Sequence, residues 1–142
     1  MSETGDPTDV KTPKPGHTLK NLEEAKNSAE EYGFGEFQES RFVNEDLDLT
    51  QAGLSFHRIK PGKRQPFGHS HDRSEEIYVV IGGSGRMMIG DQLVELKKYD
   101  AVRVAPNEKR AFEADDEGLE IIASGQHLES DRGEVYKGWW GD

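Results

Sequence analysis

Between Leu54 and Ala123 apolar residues recur at every second position, whereas the segments on either side are mostly polar. Successive side chains of a strand face opposite sides, so a period of two reads as half-buried β-structure. "GLSFHRIKPG" alternates around Leu54, Phe56 and Arg58, and "EEIYVVIGG" is dense in β-branched and aromatic residues. "GRMMIGDQLVEL" reads as a hairpin turning at Gly90-Asp91, and "DAVRVAP", "RAFEA" and "GLEIIASG" follow after short breaks. Six or more short strands with no helical segment between them predict an all-β fold, an antiparallel sheet closed as a barrel or sandwich. Ahead of them, "TLKNLEEAKNSAEEYG" starts at a capping Thr18, spaces Leu19, Leu22, Ala25 and Ala29 by three and four, and stops at Gly33. That spacing predicts one short amphipathic N-terminal helix.

These patterns divide the chain into an arm at 1–16, a helix and lead-in strand at 17–50, a barrel at 51–126 and a C-terminal extension at 127–142. The arm holds three prolines, two glycines and Val10 as its one large apolar residue past Met1, too little to offset the entropy of ordering it, so it is expected to be disordered. In the extension, Val135, Tyr136, Trp139 and Trp140 are expected to fold back on the body or to cover a subunit contact.

Composition narrows the function. With 142 residues the chain supports one ordinary domain. Its 28 acidic and 18 basic side chains give a net charge of −10, which repels phosphate backbones and anionic headgroups and argues against nucleic acid and membrane partners. The absence of cysteine removes disulfides, thiolate zinc sites and thiol catalysis. No signal-like or membrane-spanning apolar run is present, and a cytoplasmic protein is expected.

The chemistry concentrates in "PFGHSHDRSEEIYVVIGGSG", residues 66–85. His69 and His71 lie two apart on one strand and can enter one cavity. A turn at "DRS" brings Glu76, Tyr78 and Val80 onto a single face of the next strand. Two imidazoles and a carboxylate with open positions suit iron(II) and accept manganese, zinc, nickel or copper. Tyr78 either donates a hydrogen bond inside the cavity or is packed, and Phe112 shares the parity of Arg110 as core lining. His57 sits on a strand whose inward face the pattern leaves open, a structural imidazole being the plainer reading. His17 and His127 flank the domain and are expected in solvent.

This stretch resembles the first motif of the cupins: glycine, five residues, His-x-His, three or four residues, glutamate, six residues, glycine. His69, His71, Glu76 and Gly83 match it, with Glu75 closing on Gly82 as the alternative carboxylate, and with six residues instead of five between Gly62 and His69. The resemblance covers about residues 50–124. It implies a double-stranded jelly-roll β-barrel with a divalent metal on His69, His71 and Glu76, and a homodimer, which would also cover exposed sheet edges. The second cupin motif, glycine, five residues, Pro-x-Gly, two residues, histidine, three residues, asparagine, falls on Tyr99, Ala105, Asn107, Arg110 and Ala114, so none of its fixed residues is present. Pro106 stands one place late, and Asn107 suits a left-handed turn position.

Arg110 therefore occupies the place of the fourth metal ligand, and a guanidinium donates only and cannot ligate. Two outcomes follow. Arg110 stands a few Å beyond a bound ion and holds an anionic group of a small ligand, with Tyr78 and Glu75 as further ligand-binding groups. Alternatively it pairs with Glu76 or Glu75 and takes the metal's place. The resemblance reaches both sugar-phosphate isomerases and dioxygenases, so a metal-dependent enzyme and a small-molecule binding or regulatory module both remain open.

Overall fold

The computed structural model describes residues 16–128 and 130–140. Eight strands carry the fold: β1 Gln38–Phe42, β2 Ala52–Ile59, β3 Phe67–His71, β4 Glu76–Ile89, β5 Gln92–Lys97, β6 Ala101–Val104, β7 Arg110–Gln126 and β8 Gly133–Lys137. All pair antiparallel within one sheet, in the order β1-β2-β7-β3-β8, and β4 joins β5, β6 and β7. Because β7 is shared by β2, β3 and β4, the sheet curls back on itself as the expected cupin-like jelly roll. Ile59, Tyr78, Val80, Met87, Leu96, Val104, Phe112, Leu119 and Ile121 fill its interior. The hairpin turns at Gly90-Asp91 as predicted, with Ile89 paired to Gln92.

Two glycine-rich breaks expected from the sequence are bulges inside long strands. "EEIYVVIGG" and "GRMMI" merge into the fourteen-residue β4, and "RAFEA" and "GLEIIASG" merge into the seventeen-residue β7. The β4 register shifts between Val80 and Gly82 and again between Gly83 and Gly85. Gly83 has φ 69° and lies so close to β7 that a Cβ there would stand 1.9 Å from the Gly118 carbonyl oxygen. Glycine here bends a strand and admits a neighbouring backbone; it does not end the strand.

The N-terminal helix is shorter than its periodicity suggests. A single 3-10 turn spans Leu22–Glu24, and α1 spans only Ser28–Glu31. Asn27 interrupts the helix: its Oδ1 accepts from the amides of Ala29 and of Ser40, capping α1 and tying it to β1. Ala25 and Ala29 are buried, but Leu19 is 92% exposed, so the apolar stripe never meets a surface long enough to bury it. The arm expected at 1–16 lies, apart from Gly16, outside the described residues.

The C-terminal extension folds back, as one of its two expected readings has it. β8 pairs along the whole of β3, and Trp139 covers Gly68 so closely that a Cβ there would meet its ring at 2.5 Å. Trp140 is buried beneath Arg64, whose guanidinium carbon is 4.4 Å from the ring centroid. No helix among the described residues is long and apolar enough to cross a membrane.

Candidate functional site

Strand β3 lies between β7 and β8, and its alternation sends His69 and His71 to the barrel interior while Gly68 and Ser70 face outward against the C-terminal extension. From β4, Glu76 and Tyr78 enter the same interior. The nitrogens and carboxylate oxygen that His69, His71 and Glu76 can offer lie within 4.8 Å of one another. The Nε2 atoms of His69 and His71 are 3.9 and 3.8 Å from Glu76 Oε1. These three form one wall of a cavity of about 480 Å³.

Asp131, from the extension, completes the cluster. Its Oδ2 is 2.7 Å from His71 Nδ1, and its Oδ1 accepts from the amides of Arg73 and Ser74. A carboxylate can only accept, so Nδ1 carries the proton and Nε2 is the nitrogen turned to Glu76. Burial pushes His69 below its ordinary value, and the positive charge of Arg110 adds to this against the pull of Glu76. Burial alone would raise Glu76, yet its contacts with His69, Tyr78 and Arg110 outweigh that and hold the carboxyl well below the usual range.

Arg110 is fully buried. Its Nη2 donates to Glu76 Oε1 at 2.7 Å, its Nε to the Tyr78 hydroxyl at 3.0 Å and its Nη1 to the Glu108 carbonyl at 2.8 Å. Tyr78 in turn donates to Glu76 Oε1, and burial raises its hydroxyl far above its normal value, so it stays protonated. Arg110 thus stands behind Glu76, with no surface toward the cavity, which removes the geometric basis for holding an anionic ligand there. Glu75 turns away: its carboxylate reaches Arg103 at 3.5 Å on the exposed rim, leaving Glu76 as the inward acid. His17 and His127 are exposed, as expected.

The degraded second motif survives in the backbone. Tyr99 and Asn107, at its two glycine positions, have φ 76° and 72°. The turns retain a left-handed conformation although the residues that adopt it cheaply are gone. Arg110 sits directly opposite His69 across β3 and β7.

Of a second polar wall, sequence reasoning reached only His57, read as a structural imidazole, and missed its partners. There the Phe112 amide donates to Gln65 Oε1 at 3.0 Å, Gln65 Nε2 donates to Gln38 Oε1 at 3.1 Å, and Gln38 Nε2 donates to Ser40 Oγ at 2.7 Å. The Ser40 and Ser55 hydroxyls then flank His57, at 2.9 Å from Nδ1 and 2.8 Å from Nε2. Burial pushes His57 down to about 4, so the imidazole is neutral. No motif marks these residues; the one sequence signal is the shared parity of Ser55 and His57 on β2, opposite to that of the buried Phe56. Among the described residues, the cavity is lined by no lysine or arginine, while Glu75, Glu76, Asp131 and Glu134 all border it.

Residues 55–124 match the Cupin domain family model. No curated protein sequence matches the chain. Among solved structures, a cupin protein from Bacteroides fragilis superposes with a TM-score of 0.64 at 24% identity, over 82% of this chain and 88% of that one. A sugar phosphate isomerase from a cupin superfamily of Silicibacter pomeroyi gives 0.61 at 17%, over 72% and 67%. A salicylate 1,2-dioxygenase from Pseudoaminobacter salicylatoxidans gives 0.62 at 16%, over 75% of this chain but only 32% of that one. At these identities the likeness shows the fold, and together with the matched residues it makes the chain a small cupin-domain protein.

Proposed function

We propose that the protein binds a small molecule in the barrel cavity beside a divalent transition metal held by His69, His71 and Glu76. The observation that carries this is the convergence of three donors within 4.8 Å, two of them imidazoles. The donor set fits such an ion: Asp131 leaves the His71 Nε2 lone pair facing the cluster, and burial keeps His69 unprotonated. A bound ion at this position supplies Lewis-acid polarisation of a ligand oxygen. Arg110 and Tyr78 fix the orientation of Glu76 from behind, and Tyr78 keeps its proton. The second reading is a metal-free binding cupin, and one observation favours it: Glu76 Oε1 already has Arg110 and Tyr78 as partners.

Metal analysis of protein purified without chelator, with melting temperatures across a panel of divalent ions, separates the two. A ligand of the native state alone raises the melting temperature by mass action. The metal reading expects His69→Ala to abolish the shift and Arg110→His to enlarge it. No stoichiometric metal and no shift with any ion would leave the metal-free reading.

A further inference from the structure

Gln38, Ser40, Ser55, His57 and Gln65 form a second polar wall of the cavity, and their hydrogen bonds fix where its protons lie. A backbone amide can only donate, so Phe112 N–H fixes the orientation of the Gln65 side-chain amide, and that fixes Gln38. Ser40 Oγ therefore always receives a hydrogen bond from Gln38. Neutral His57 has one N–H and one lone pair for the two hydroxyls that flank it. With the proton on Nδ1, Ser40 accepts twice and keeps a hydroxyl proton to give, while Ser55 donates to Nε2 and keeps a lone pair. With the proton on Nε2, the roles exchange. In either tautomer the row offers the cavity one donor and one acceptor, on opposite edges of an imidazole.

We propose that this row is a subsite for an uncharged cyclic polyol of the monosaccharide class, bound through hydroxyls to Ser40 and Ser55. A hydroxyl is the one common neutral group that satisfies either end whichever nitrogen of His57 is protonated. The two serine hydroxyls flank the two ring nitrogens of one imidazole, and Phe42, Phe67 and Phe112 also line the cavity with apolar surface. A phosphorylated or carboxylated counterpart meets no lysine or arginine among the described lining residues, while Asp131 and Glu134 border the cavity from the C-terminal extension. The inference rests on reading the cavity as a small-molecule site, and because a divalent ion on His69, His71 and Glu76 would itself attract an anion, neutral and charged compounds are compared on chelator-treated, metal-free protein.

The test is ligand-observed NMR and calorimetry with D-glucose, D-galactose, D-xylose and myo-inositol, set against D-glucose 6-phosphate and D-glucuronate. At least one neutral ring is expected to bind about tenfold or more tighter than the charged compounds, and Ser40→Ala and Ser55→Ala each to weaken it about tenfold, the worth of one hydrogen bond. Both variants should keep the wild-type melting shift with divalent ions, so loss of polyol binding and loss of metal binding are read separately. In the unaltered protein, the ring nitrogen resonances of His57 should move on adding the bound polyol. Tighter binding of a charged compound, no binding by any neutral ring, or wild-type affinity in both serine variants overturns the proposal.

Discussion

The two walls of the cavity solve the problem of burying polar groups in opposite ways. On the β3–β4 side an ion pair lies at the centre: Arg110, fully buried, bonds Glu76 Oε1, and the Asp131 carboxylate accepts from His71 Nδ1. On the β1–β2 side, all partners are neutral, and a chain of amides and hydroxyls carries one backbone donor through to His57. The first wall stores strong, direct interactions whose removal leaves an unpaired ion. The second spreads its satisfaction over several groups, so that each can be removed at modest cost while the row as a whole stays adaptable.

The sharpest way to break this contrast is Arg110→Met, which strands Glu76 and should cost about 3 kcal/mol or more of unfolding free energy by urea titration. Adding Glu76→Gln should recover most of that loss. If the double variant is no more stable than the single one, the walls do not differ as described. Acid comes next. Between pH 6.5 and about 4 the unfolded chain protonates His57 while the folded chain refuses the proton, so stability falls as pH drops through that window. The loss from this group approaches roughly 3 kcal/mol at the lower end. His57→Gln should flatten that stretch of the curve. Glu76, held below its normal range, adds its own loss only below about pH 4.5, where the unfolded carboxyl begins to protonate first. The smallest change is Asp131→Asn. The amide presents a donor to His71, turns its proton onto Nε2 and should weaken metal binding about tenfold, with little change in melting temperature.

The same contrast decides what could be read in the sequence. His69, His71 and Glu76 sit close together in the chain on consecutive strands, so parity, spacing and the first-motif resemblance together bring them to one interior. The inward course of Arg110 follows from its place at the second-motif histidine, but which of its two open partners it takes, Glu76 or a cavity ligand, depends on depth, and a pattern of alternation carries no depth. The neutral wall was out of reach because Gln38, Ser40, Ser55, His57 and Gln65 come from three stretches that meet only after the sheet curls. Asp131 was hidden for a similar reason: it lies beyond the barrel strands and arrives through β8. The spacing overextends the helix because periodicity carries no information on what Leu19 touches, and it breaks β4 and β7 because a glycine that permits close approach looks the same in sequence as one that ends a strand.

Strand β8 is largely exposed, and within the sheet it is paired only to β3. A segment with so little burial opens at far lower free energy than the core, so its backbone amides should exchange with deuterium well before those of β4 and β7. Asp131, Gly133, Glu134 and Val135 border the cavity from this segment. Its transient release would unlatch the cavity and withdraw the acceptor from His71 together, coupling ligand entry to the basicity of one imidazole through a single local motion.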